Sequence, residues 1–175
     1  MRTRVFTAFA ASLSALLLCT ATAAAQQRTP PTPAESLRRN LAGIDKKLLD
    51  MAKDFPADKY DYRMKPEMRS FGEVLVHIVG GNIYAAKVAR GDKNAKWDEL
   101  DAKQYASKDQ IVALLEKTFA DSEAALKAVP DATFSKTISP WVAVIEHSGE
   151  HYGLLVAYYR ANGMVPPETR NNPQG

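Results

Sequence analysis

The stretch TPAESLRRNLAGIDKKLLDMAKDFP, Thr32–Pro56, decides the fold class. Thr32 is placed as an N-cap, Pro33 takes the first helical position, and Glu35 stands where its carboxylate can reach back to the cap. Leu37, Leu41, Ile44, Leu48, Met51 and Phe55 follow at steps of four and three. They share one face of a helix that Pro56 ends. A helix with one apolar stripe must bury it against another element, and the chain carries three more of the same kind.

Ser70 and Glu73 form a second capping box, opening a stripe of Ser70, Val74, His77, Gly81, Tyr84 and Val88 that stops at Gly91. Ser107 and Gln110 open a third, with Val112, Leu115, Phe119, Ser122, Leu126 and Val129, closed by Pro130. The fourth starts at Ser139-Pro140 and stops at Gly163, carrying Pro140, Val144, His147, His151, Leu154 and Tyr158. Four seams with no convincing strand predict an all-α four-helix bundle. Thr133–Ile138 has a strand-like composition but no partner. The connections before and after the second helix run about 15 residues, long enough to cross the bundle.

Residues 1–25 read as a secretory signal. Arg2 and Arg4 precede an apolar run from Val5 to Leu18, and Ala23-Ala24-Ala25 fits the small-residue cleavage pattern, giving a mature start near Gln26. The apolar run is short of the ~20 residues a membrane span needs, so no stable membrane insertion is expected after cleavage. Leu18 is bulky where a lipoprotein signal ending in Cys19 would want a small residue. A periplasmic or secreted protein follows. Residues 26–32, with Pro30 and Pro31, read as a disordered leader, 33–170 as the bundle and 171–175 as a disordered tail.

The 175 residues carry 23 basic and 20 acidic side chains, a net charge of +3, and cleavage removes two arginines and no acid to leave +1. That balance argues against nucleic acid as a partner. The one cysteine, Cys19, leaves with the signal. The mature chain then has neither a disulfide nor a thiol nucleophile of its own.

Histidine is the informative residue. There are three, His77, His147 and His151, and all fall on the stripes read here as core-facing. His147 and His151 stand four residues apart, one turn along a single helix face, and His77 lies near the middle of another helix. If those helices face each other, three imidazoles can hold one divalent ion. A lone histidine on an apolar face is more often a hydrogen-bonded core residue, but buried imidazoles are costly unless satisfied, and this chain places all of its histidines on such faces. Such an ion keeps its double charge and an open position, able to acidify water, polarise an oxygen or bind a thiolate.

Glu73, one turn before His77, reads first as the capping-box acid and secondarily as a fourth ligand, a carboxylate steadying one, or a proton carrier. Tyr84 and Tyr158 share the histidine stripes, either packing or hydrogen-bonding near the site. Gly80-Gly81 removes bulk beside His77, for an ion, a substrate or a close helix contact. His147-Ser148-Gly149-Glu150-His151 matches the H-x-x-E-H pattern of inverted zinc peptidases, in which the glutamate is the base. That class needs a further acidic ligand well downstream, and after His151 only Glu168 is acidic. A peptidase is therefore the lesser reading, with Glu150 a solvated or supporting carboxylate.

Ser70-Phe71-Gly72-Glu73 leading to His77, and Glu146 through Gly153, resemble the DinB/YfiT-like superfamily. So do Tyr158-Tyr159-Arg160 through Gly163, Pro166 to Arg170, and the loop Lys59-Tyr60-Asp61-Tyr62-Arg63. The resemblance spans roughly Ser36 to Arg170. It implies an up-down-down-up bundle holding a divalent metal, zinc or nickel, on His77, His147 and His151, with dimers common. It also implies a small-molecule substrate, since characterised relatives include S-transferases and isomerases that use low-molecular-weight thiols. From residues and resemblance together, the expectation is a metal-dependent hydrolase or thiol S-transferase of unknown substrate. The alternative is a non-catalytic, metal-stabilised binding or stress-associated bundle.

Overall fold

A computed structural model describes residues 29–172. The expected signal at 1–25, the first part of the leader and the last residues of the tail lie outside the described residues. Helix α1 spans Pro33–Asp54, α2 Phe71–Ala89, α3 Lys108–Ala128, α4 Trp141–Ala161 and the short α5 Pro167–Asn171. The first two begin as their sequences dictate. Thr32 Oγ1 accepts from the Glu35 N–H at 3.2 Å while Glu35 Oε2 accepts from the Thr32 N–H at 2.7 Å. Ser70 and Glu73 repeat the exchange at 3.3 and 2.8 Å. In α3 only half the box forms: Ser107 Oγ caps the Gln110 N–H, but Gln110 Oε1 accepts from Ala106 rather than Ser107. Gly91 and Gly163, the stops after α2 and α4, have φ of 86° and 70°, a left-handed conformation that glycine adopts without strain.

Helices α1 and α2 each pack against both α3 and α4, so each of these two pairs lies across a diagonal of the bundle. Direction follows from end-to-end contacts. Phe55, capping the end of α1, stacks on Phe71 at the start of α2, with ring centroids 3.8 Å apart. Arg90 reaches Asp121 toward the far ends of α2 and α3, whereas Ile111 crowds Gly72 near their starts. Tyr159, late in α4, packs against Phe55 with centroids 5.0 Å apart, and Trp141, at its start, joins the cluster that holds Leu37 and Ala85. The order is up-down-down-up. Because α2 and α3 run parallel, residues 90–107 must travel back along the length of α2, about 28 Å for its 19 residues.

Two apolar clusters fill the interior. One centres on Phe55, Phe71, Tyr158 and Tyr159, the other on Leu37, Leu41, Leu126 and Trp141. Every long helix contributes a buried polar residue, Asp45, Asn82, Ser122 and Ser148, and α3 adds Thr118. Asn82 Nδ2 donates to Ser122 Oγ at 3.0 Å and sits 3.4 Å from both Asp45 oxygens. Burial pushes the Asp45 carboxyl up to about 7, against a lowering by Asn82.

Thr133–Ile138 does not form a strand. Asp131–Ser135 is a 3-10 turn that buries Phe134, and no strand occurs among the described residues. Helix α5, unexpected from the sequence, is tied to α1 by Lys47–Glu168 and Arg170–Asp54 ion pairs at 3.5 and 2.6 Å. No described helix is long and apolar enough to cross a membrane.

Candidate metal centre

His77 stands in the first half of α2, and His147 and His151 on successive turns of the antiparallel neighbour α4, so the topology brings all three together. His147 Nε2 lies 3.1 Å from His77 Nε2. One nitrogen from each ring can be chosen so that all three lie within 4.8 Å of one another. A tetrahedral ion with bonds of about 2.0–2.1 Å sets its ligand atoms roughly 3.3 Å apart, so one pair already matches and the third ring has a short distance to close. Among the described residues this is the group of histidine and acidic side chains spaced to share an ion.

The rings are not in the core. All three histidines are half-buried, on the flank of the α2–α4 seam. The inward faces are offset from the expected stripes rather than unrelated to them: Val74, Gly81, Val144 and Tyr158 are buried as expected, but the core also takes Leu75, Ile78, Asn82 and Ala85 on α2 and Ser148, Leu155 and Tyr159 on α4. The displacement leaves the imidazoles reachable from outside.

The crossover between α2 and α3 covers part of that flank. The Trp97 indole packs edge-on to His147, centroids 5.1 Å apart, and stacks on Tyr84 at 5.6 Å. It seats against α2 because Gly80 and Gly81 carry no side chains: a Cβ on Gly81 would lie 2.5 Å from Trp97 Cζ2, and one on Gly80 2.8 Å from the Asp98 carbonyl oxygen. The glycine pair makes room for the crossover, neither for an ion nor for a helix. Two residues on, Glu99 Oε1 lies 2.8 Å from His77 Nδ1, out of line for a regular hydrogen bond, and 2.6 Å from Arg69 Nη2. A carboxylate on Nδ1 favours a proton there and leaves Nε2 as the lone-pair atom turned toward the other rings.

Burial, with lesser contributions from the neighbouring rings and Arg69, pushes the His147 imidazole down to about 4. Burial likewise lowers His77 and His151, Arg69 adding to the effect in both, while Glu99 opposes it at His77 and Glu150 at His151. Neutral imidazoles are the form that ligates. The buried His147 Nδ1 has no protein partner among the described residues, and the two facing Nε2 atoms are within hydrogen-bond distance, one having to carry the proton while no cation is bound. A cation would take the lone pairs of both in place of that proton, and with the third ring in reach the donor set fits a divalent ion.

Glu73 stands apart from the triad. Its Oε2 holds the Ser70 N–H and its Oε1 the Arg63 guanidinium at 2.5 Å, a pairing that holds its carboxyl below the usual range. Glu150 is exposed and outside the group, and the inverted-peptidase arrangement is not formed. The Tyr158 hydroxyl donates to the Arg69 carbonyl, fixing the residue before the α2 cap. Two clefts of about 480 and 470 Å³ meet at His77 and Arg69, one continuing to His151 and Leu154, the other to Glu99 and Leu100. A larger hollow of about 560 Å³ lies beyond Glu73, between the starts of α2 and α3, and contains no histidine. Size alone would select that hollow; the chemistry selects the smaller two. Arg69, Trp97 and Glu99 carried no motif, and only the glycine pair hinted that something packs there.

The sequence model of the DinB superfamily matches residues 6–158, and the chain belongs to that superfamily. No curated protein matches it significantly.

Proposed function

From membership of the DinB superfamily and the convergence of His77, His147 and His151, we propose that this protein is an exported metal-dependent enzyme. It holds zinc or nickel on the three imidazoles and acts on a small molecule, as a hydrolase or a thiol S-transferase. The observation that carries the reading is the set of three ring nitrogens within 4.8 Å, all on imidazoles held neutral.

A divalent ion there supplies Lewis acidity when bound. The chain's residues do the rest. Glu99 faces His77 Nδ1 and keeps its proton on the side away from the other rings. Trp97 fixes the His147 ring and shields it from one side, leaving approach through the clefts at His77 and His151. Processing near Gln26 places the protein outside the cytoplasm, where water is a more available nucleophile than a cytoplasmic thiol. Export, processing and homodimer formation belong to the same reading.

A second reading has its own support. The mature chain has no cysteine to cross-link it, and an ion shared by α2 and α4 would serve as the staple of a non-catalytic bundle. Zinc- and nickel-loaded mature protein assayed for nitrophenyl ester hydrolysis and for displacement of chloride from chlorodinitrobenzene by a thiol separates the two. The enzyme reading predicts turnover that His77→Ala abolishes. Metal-dependent stability with no turnover in either assay favours the staple.

A further inference from the structure

Arg69 is a cation built beside a place that collects another cation. It lies on the wall shared by both clefts and depresses all three imidazoles electrostatically. Its field opposes binding of an ion, so as a mere neighbour it works against the site. Its backbone is pinned by the Tyr158 hydroxyl, while its side chain is 47% exposed and spends one Nη2 hydrogen bond on Glu99. No other partner of the guanidinium occurs among the described residues, and the remaining N–H groups are available to the clefts. Glu99 is itself 61% exposed, and an ion pair this open is worth roughly 0–1 kcal/mol, so Arg69 is readily released to a better anion.

The 480 Å³ cleft supplies the rest of a ligand's surroundings. Val74, Leu154 and Met68 give it an apolar wall, His77 and His151 its inner end, and Glu67 an acidic rim. We infer that Arg69 is the recognition group for the carboxylate of an amphiphilic carboxylic acid. The acid's apolar body lies along Val74 and Leu154, with its reacting end toward His77 and His151. Glu99 is the carboxylate that occupies Arg69 in the free protein, and substrate takes its place. The inference deepens the metal-enzyme reading and rests on it for the reaction, though not for the binding.

The test is calorimetric titration of hexanoate and, as the uncharged counterpart, hexanamide into mature protein, with and without one equivalent of zinc. Metal content is measured on each sample. Hexanoate should bind more tightly than hexanamide. Arg69→Gln should weaken hexanoate about tenfold with or without zinc, the loss expected for a hydrogen-bonded charge pair, and leave hexanamide unchanged. Glu99→Gln, measured at saturating zinc, should move hexanoate the other way and tighten it several-fold. Hexanoate affinity unaffected by Arg69→Gln would overturn the inference, and so would a Glu99→Gln variant that weakens it. Failure of wild type to take up zinc, with the Arg69 effect intact, would instead remove the metal reading and leave the anion site standing.

Discussion

The indole of Trp97 occupies the space in which a Gly81 side chain would stand, with Cζ2 2.5 Å from the Cβ position. Because α2 and α3 are parallel, their connection must return along α2, and the glycine pair lets it lie close enough to touch His147. Gly81→Ala should push the indole out. The gain of roughly 1 kcal/mol in helix propensity should be outweighed by overpacking, leaving the variant less stable by about 1–2 kcal/mol. Trp97 emission should shift to the red, while Trp141, 2% exposed, keeps its blue component. Gly43 and Gly149 have nothing within 4 Å of a Cβ, so alanine at either should stabilise by about 0.5–1 kcal/mol. Urea unfolding of the three variants checks both signs.

Asp45 gives the bundle a pH dependence of its own. Its carboxyl titrates at about 7 when folded, against an ordinary value of 3.8, so the folded state holds a proton that the unfolded chain has released. Stability from this group therefore falls as pH rises from about 4 to about 7 and is level above that. Asp45→Asn should be more stable than wild type at pH 8, by on the order of 4 kcal/mol, with the advantage gone near pH 4. The lowered histidines act in the opposite sense below pH 6.5, so the quantity to plot is the difference between variant and wild type, which cancels them.

Tyr159 fixes α4 to the end of α1. Its hydroxyl donates to the buried Met51 carbonyl at 2.8 Å and stands 3.1 Å from Asp54 Oδ2. Tyr159→Phe keeps the ring and strips the carbonyl of that donor, a loss of about 1–2 kcal/mol. Tyr152, half-buried with no hydroxyl partner among the described residues, is the control, and Tyr152→Phe should stay within about 0.5 kcal/mol of wild type in the same denaturation experiment.

What could be read in advance follows from which forces are local. Thr32 with Glu35 and Ser70 with Glu73 announce helix starts within four residues, and Gly91 and Gly163 announce stops, because capping depends on near neighbours. The triad was legible too, since a four-residue spacing fixes two rings on one face and the third lay in the only other helix with a histidine. The faces were harder. Helix α2 is buried on nearly every side, so several stripes fit it, and the expected one keeps Val74 and Gly81 inside while leaving His77, Tyr84 and Val88 half-buried on the flank. Thr133–Ile138 had strand composition, but a strand needs a partner and there was none. The contacts of Trp97, Arg69 and Glu99 depend on the path of a crossover set by the packing of four helices. No local pattern encodes that path.

The most direct test is metal stoichiometry. Mature protein, stripped with chelator and titrated with zinc and with nickel, should take up one ion per chain by elemental analysis after desalting. His77→Ala, His147→Ala and His151→Ala, each shown by circular dichroism to remain helical, should retain less than a tenth of that. Wild type that binds no ion, or folded variants that retain as much as wild type, would contradict the account.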